Sequence, residues 1–320
     1  MVKPAGSRFL RLLLVAPRVF RAALAEHADA YHLHDPELLP IAVALKLFGK
    51  RVVYDAHEHL PQQLRQRSWC PAPIQRCLAA VAGAVEWAMA SVLDGIVCAT
   101  PVIARRFPPG KTLVVRNLPR IGSGEQPHDD YYSRGNVAVY IGLITDLRGF
   151  TSMCDAIQAV RPSVEAQLLL AGRCEGRDVD SRLQAANPPH HIKYLGALSH
   201  DGAQALLRQA RVGLFTPHDV PNIRDSYPTK IFEYLAAGIP VIASDFLLRD
   251  FPELNDCILR VNPLETDDLV EKLEWVFSNP REAHALGQKG QSLVRTRLNW
   301  EREGHVLADF YGRMLCPATR

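Results

Sequence analysis

Short apolar runs alternate with longer helical stretches along nearly the whole chain, and few folds satisfy that alternation. AYHLH (30–34) precedes LLPIAVALKLFGK, which its Gly-Lys pair ends before RVVYDAH (51–57). A helical stretch over 73–93 leads to GIVCAT (95–100), and TLVVRN (112–117) follows one more short helix. Strand, helix, strand in succession is the grammar of βαβ units, so parallel sheets are expected. PRIGSGEQPHDDYYSRGN (119–136) breaks the rhythm with Pro, Gly and acidic residues and no apolar period, as a linker does. The grammar then restarts with VAVYIG (137–142), AQLLLAG (166–172), IKYLG (192–196), VGLFTP (212–217), PVIAS (240–244) and CILRV (257–261). These six strands predict a complete doubly wound domain, and helices over 265–278, 281–297 and 300–313 close the chain. The expected organisation is α/β: a first Rossmann-like domain over 1–120, a linker over 121–136, a second Rossmann-like domain over 137–299, and a C-terminal helix and tail over 300–320.

Composition narrows the class. A chain of 320 residues, 48% hydrophobic and 22% charged, suffices for two ordinary cores. Its net charge of +3 does not point to nucleic acid. Lys3, Arg8, Arg11, Arg18 and Arg21 crowd the first thirty residues against Glu26 and Asp29, which predicts peripheral contact with an anionic membrane surface. The seven cysteines, at 70, 77, 98, 154, 174, 257 and 316, are odd in number, scattered and without a CxxC pair. That argues against a disulfide framework and a zinc site and for a reducing, cytoplasmic setting. FLRLLLVAPRVF mimics a signal peptide, but Arg11 interrupts its apolar core and no clean cleavage site follows. Cys77 to Leu93 contains Glu86 and falls short of the roughly 20 residues a membrane helix needs, so no span is expected.

In doubly wound sheets ligands bind outside the carboxyl ends of the strands, so the chemistry is sought there. Asp225 and Glu233 are separated by seven residues that include Pro228, Thr229 and Lys230, and KIFEYLAAG runs on to Gly238 and Pro240. Proline suits a helix start and the Gly-x-Pro pair its stop. Free amides around Thr229 and Lys230 then sit at the positive end of a helix beside a lysine, a setting for a diphosphate, with Glu233 one turn on and able to accept ribose hydroxyls. An ordinary helix with a charged first turn is the plainer alternative. YIGLITDLRGF (140–150) supplies a matching loop: Gly142 ends a strand and lets backbone approach a ligand, and Arg148 can pair with phosphate in bidentate fashion. In the first half, HLHDPELLP (32–40) and YDAHEHLP (54–61) place histidines and acids just past strands, where structural and functional roles stand level on position alone. Asp178 and Asp180 form a D-x-D in a polar loop, read as a solvated turn rather than a metal site.

With these residues the second half resembles the family 4 retaining glycosyltransferases of the GT-B fold, which build bacterial capsules, exopolysaccharides and lipopolysaccharide. The likeness rests on Gly142, Arg148, Asp225, Glu233, the phrase EYLAAGIPVIAS and LNW (298–300), and it extends from Ala30 to about Tyr311. It implies two Rossmann-like domains facing across a cleft and a nucleotide-diphosphate sugar as donor. Glu233 would hold the ribose, with Arg148, Lys230 and the amide end at Thr229 on the diphosphate. The resemblance places His34, in HDPE, at the transferred sugar as the catalytic residue, and His57 and Glu58 on the acceptor side, where Glu58 helps deprotonate a hydroxyl. It implies a saccharide or lipid-linked acceptor and retention by a front-face route in which the leaving diphosphate takes the acceptor proton. No cofactor, metal or covalent nucleophile is expected. Two departures stand out: Asp225 replaces the usual Glu, and Leu143 replaces the Arg that often follows the glycine, a loss for which Lys230 compensates. The strand, glycine loop and helix that open the family's first domain are not found before Ala30. At about 30 residues per βαβ step, on the order of two units are expected to be absent, leaving an exposed sheet edge. A nucleotide-sugar 2-epimerase and a non-catalytic nucleotide-sugar-binding subunit of a polysaccharide assembly complex are the alternatives.

Overall fold

The structure, a computed structural model, describes residues 8–65, 71–121, 131–176, 179, 183 and 191–316. Lys3, the D-x-D residues Asp178 and Asp180, and 122–130 of the expected linker lie outside them. The chain forms two compact units, Met1–Asn117 with Glu303–Arg320, and Leu118–Arg302. Most of the expected C-terminal helix therefore counts with the first unit. The described residues of the stretch expected as linker, Ile121 and 131–136, fall within the second, where Tyr131 is buried and its hydroxyl donates to the Arg211 carbonyl at 2.9 Å.

The first unit holds strands β1 (Tyr31–His34), β2 (Val52–Ala56), β3 (Gly95–Cys98) and β4 (Thr112–Val114), parallel and in that spatial order. β3 is wholly buried and β2 nearly so, which is why both read as unbroken apolar runs. The helix Leu39–Leu47 buries Leu39, Ile41, Ala42 and Leu45 in the core that contains Tyr54 and Ile96. A further helix, Arg8–Ala25, occupies a segment to which the sequence reading assigned no element. Ala16, Val19, Phe20, Ala23 and Leu24, spaced at helical period, pack on the same core and leave Arg18 and Arg21 exposed. The long helix Ala72–Ser91 is pinned by Glu86. That carboxylate is 2% exposed, accepts a hydrogen bond from the Tyr54 hydroxyl at 2.9 Å and pairs with Arg106.

The second unit contains β5 (Val137–Ile141), β6 (Gln167–Ala171), β7 (Ile192–Tyr194), β8 (Val212–Phe215), β9 (Val241–Ser244) and β10 (Ile258–Val261). The spatial order is β10-β9-β8-β5-β6-β7, all parallel. This is the doubly wound arrangement, and its order reverses between β5 and β8. β5 pairs with β6 along five residues but with β8 only at Ala138↔Val212 and Val139↔Gly213. Beyond those pairs the Tyr234 hydroxyl enters and accepts the Ile141 amide at 2.9 Å. Tyr234, fully buried, comes from the helix Thr229–Ala236, which is thereby anchored over the point where the two strands part.

Candidate functional site

The switch point of the second sheet gathers the donor-side residues. Gly142 follows β5 at φ +150, and a Cβ there would lie 2.0 Å from the Lys230 Cε, so the lysine stem runs directly over the glycine backbone. Gly149 is left-handed at φ +83, and a Cβ on it would come within 2.2 Å of the Thr216 carbonyl oxygen beyond β8. The His218 amide donates to the Leu147 carbonyl at 2.9 Å. Only glycines let the two loops approach this closely, so the spacing in YIGLITDLRGF is a demand of packing as well as of ligand access.

Lys230 stands in the first turn of Thr229–Ala236, whose N-cap, Pro228, makes no side-chain capping bond. Thr229 and Lys230 thus carry first-turn amides that lack intrahelical acceptors. Burial holds the Lys230 ammonium below the usual lysine range; the Glu233 carboxylate opposes that shift and the Arg148 guanidinium adds to it. Arg148 also faces the Tyr140 hydroxyl, which burial pushes up to about 12. Arg148, Lys230 and Glu233 therefore form one electrostatic group: two cations and an uncapped helix end to receive an anion, and a half-buried carboxylate beside them to accept hydroxyls. Asp225 ends the short helix Pro221–Arg224, half-buried beside Arg224, whose guanidinium grips Asp219 at 2.6 Å. The sequence reading missed Thr216, His218 and Tyr234. Thr216 Oγ1 is buried without a hydrogen-bond partner among the described residues, the kind of group that a ligand or a water satisfies.

In the first unit, the carboxyl ends of β1 and β2 bring His34 and His57 near each other, with ring centroids 6.3 Å apart. His34 Nδ1 lies 3.1 Å from Asp55 Oδ2, and His32 Nε2 lies 3.2 Å from the same oxygen. His32 Nδ1 is 2.5 Å from the Tyr311 hydroxyl, and His57 Nε2 is 3.6 Å from Asp35 Oδ1. Glu58 accepts from the Gln63 side-chain amide. Asp35 has φ +70, a strained conformation for a residue that is neither Gly nor Asn, and here it precedes a proline. His32, Asp35, Asp55 and Tyr311 went unassigned in the sequence, although the first three lie within the quoted strings. The pairing of β1 with β2 that sets His34 opposite Asp55 is the information the strings lacked.

Residues 135–279 match the family model described as Glycosyl transferases group 1. Over 128 residues the sequence is 33% identical to a phosphatidyl-myo-inositol mannosyltransferase of Mycobacterium leprae (strain TN), covering 38% of this chain and 32% of that protein. The chain thus spans about a third of the length of that curated relative. In structure it is similar to Anabaena Alr3699/HepE in complex with UDP, with TM-score 0.74, 14% identity, and coverage of 93% of this chain and 81% of that one. It is also similar to sucrose-phosphate synthase (tll1590) from Thermosynechococcus elongatus, with TM-score 0.72, 18% identity and 98% and 81% coverage. At such identities the likeness is one of fold, and the two Rossmann-like parallel sheets are those of the GT-B architecture. The matched stretch begins two residues before β5 and takes in Gly142, Arg148, Lys230 and Glu233, so the likeness to glycosyl transferases of group 1 falls on the unit that carries the donor-side group.

Proposed function

We propose that this chain is a retaining glycosyltransferase that moves a sugar from a nucleotide-diphosphate sugar to a saccharide or lipid-linked acceptor in cell-surface polysaccharide synthesis. The observation that carries this reading is the group at the switch point, where the Gly142 backbone, Lys230, Arg148 and the amide end at Thr229 converge beside Glu233. The diphosphate binds the cations and amides, and the ribose hydroxyls bind Glu233. Relatives bear on the same point: HepE was crystallised with UDP and with UDP-glucose, and the M. leprae relative is a mannosyltransferase.

In the transfer, the bond between the anomeric carbon and the β-phosphate oxygen breaks and the acceptor oxygen bonds to that carbon on the same face. The acceptor proton passes to the leaving diphosphate, whose charge Arg148, Lys230 and the helix end stabilise. His34 contacts the transferred sugar, and His57 and Glu58 orient the acceptor. No metal or cofactor takes part. Thermal-shift screening with UDP-, GDP- and ADP-sugars identifies the donor. Transfer is then read by NMR of the product anomer, with donor alone as the control; a changed sugar configuration without acceptor would overturn the reading in favour of epimerisation.

A cytoplasmic location with peripheral membrane contact completes the proposal. Arg18 and Arg21 are exposed, and Ile74, Leu78, Val81 and Val85 form an exposed apolar line on a helix whose single acid, Glu86, is buried. No helix among the described residues is long and apolar enough to cross a membrane. Sedimentation with phosphatidylglycerol vesicles at low salt is expected for the native chain and lost in Leu78→Glu.

A further inference from the structure

We infer that His32, His34 and Asp55 form a binding site for a divalent transition-metal ion of the Zn2+ class, and that an ion held there arrests the enzyme by taking His34 out of use. The site rests on the geometry of the first unit. The arrest rests on the transferase reading above, in which His34 meets the transferred sugar.

The backbone fixes the donor set. Residues two apart in a strand share a face, so His-x-His in β1 sets His32 and His34 on one side, and the pairing with β2 puts Asp55 directly across from His34. Ligand atoms of these three side chains all lie within 4.8 Å of one another, the one such group among the described residues. Asp55 Oδ2 is the pivot, 3.2 Å from His32 Nε2 and 3.1 Å from His34 Nδ1. Atoms that bind a tetrahedral zinc at about 2.0–2.2 Å stand about 3.3–3.6 Å apart, so both spacings come within a few tenths of an ångström of what the ion needs. The two rings stack 17° from parallel with centroids 4.8 Å apart, so their lone pairs run side by side and converge on one ion when one ring turns. His34 is the ring that turns: His32 is hydrogen-bonded to Asp55, whereas His34 meets the same oxygen at ion-pair distance without hydrogen-bond alignment.

Two imidazoles and one carboxylate suit Zn2+ and its neighbours in the first transition row, and not Mg2+ or Ca2+, which take oxygen ligands. The cysteine spacing argues against a thiolate site and leaves one of this composition open. Beyond the ligands, His32 Nδ1 lies 2.5 Å from the Tyr311 hydroxyl, the kind of outer partner that holds the ring of a metal-bound histidine. Side-chain exposure is 24% at His32 and 19% at Asp55 but 60% at His34. The ion therefore rests on two held ligands and opens to solvent on the His34 side, where water completes its coordination.

The test is a Co2+ titration of the full chain after chelator treatment, read in the visible spectrum, where the d–d bands report coordination number and any thiolate ligand shows as a charge-transfer band. One Co2+ per chain is expected, with four- or five-coordinate bands and no thiolate band, displaced by Zn2+ and not by excess Mg2+. His34→Ala, a change at a mostly exposed side chain, and Asp55→Asn are expected to abolish that binding, and Tyr311→Phe to weaken it roughly ten-fold. Zn2+ at a concentration far below that of the nucleotide sugar should then halt transfer by the native chain, and a chelator should restore it. A thiolate band, binding that survives His34→Ala, or equal competition by Mg2+ overturns the site. Bound Zn2+ with undiminished transfer overturns the arrest. A chelated native chain that binds Co2+ as expected yet transfers no sugar upholds the site and counts against the transferase reading.

Discussion

Lys230 gives the donor-side group a sensitivity to pH. Its ammonium sits below the ordinary lysine range because burial strips it of water and Arg148 repels it. In the empty protein the unfolded chain holds that proton to higher pH than the folded one does, so stability rises with pH between the depressed and the ordinary value. Ligand affinity moves the other way. A bound diphosphate favours the charged amine, so binding takes up a proton and weakens as pH climbs through the depressed value. Titrating nucleoside-diphosphate affinity from neutral pH into the alkaline range should show this fall in the native chain and a flatter profile in Lys230→Arg. Gly142 adds a steric test. A methyl there collides with the Lys230 stem and strains the backbone, so Gly142→Ala should lower donor affinity about ten-fold or more and cost about 1–3 kcal/mol in denaturant unfolding. Both residues were legible in the sequence because their signals are local: a glycine after a strand, and a lysine just past a proline that starts a helix. Thr216 and Tyr234 carried no such signal, since their roles arise only when β8 lies beside β5.

At the scale of elements, the Ala72–Ser91 helix leaves most of its surface exposed, and the buried Glu86 ties it to the first sheet through Tyr54 and Arg106. Burial, with the Glu86 charge second, drives the Tyr54 hydroxyl far above its usual range, so it serves as a permanent donor. Removing the carboxylate strands a guanidinium in a site that is only 17% exposed. Glu86→Ala is therefore expected to cost about 3–5 kcal/mol in urea unfolding, and Tyr54→Phe about 1–3 kcal/mol. The sequence showed Glu86 only as an interruption in an apolar run; its partners come from another strand and a later turn. The strands themselves read out clearly, because parallel strands covered on both faces are continuous apolar runs bounded by glycine and polar residues. The Arg8–Ala25 helix escaped notice for the converse reason. Its apolar period was present, but basic residues interleaved with leucines look the same in a targeting segment and in a surface helix, and only packing on Leu39–Leu47 and its core distinguishes them.

For the whole molecule, two separate cores divide the labour, since each unit carries its own sheet and its own cluster of polar side chains. The Lys230 group lies wholly within the second unit and the His34 group wholly within the first. Nucleotide affinity and turnover should therefore separate by mutation in the full chain. Lys230→Ala removes a charge-assisted contact worth about 1.5–3 kcal/mol and should weaken nucleoside-diphosphate binding roughly ten- to a hundred-fold. His34→Ala leaves that group untouched, so the dissociation constant for the nucleoside diphosphate should stay within about two-fold of native while kcat collapses. Isothermal titration with the nucleoside diphosphate, run beside transfer assays with the nucleotide sugar, measures both quantities. If His34→Ala weakened nucleotide binding as strongly as Lys230→Ala, the two groups would be acting as one site and the division between the units would fail. If instead the double variant binds like Lys230→Ala and turns over no faster than His34→Ala, then the second unit holds the nucleotide and the first supplies the residue that acts on the sugar.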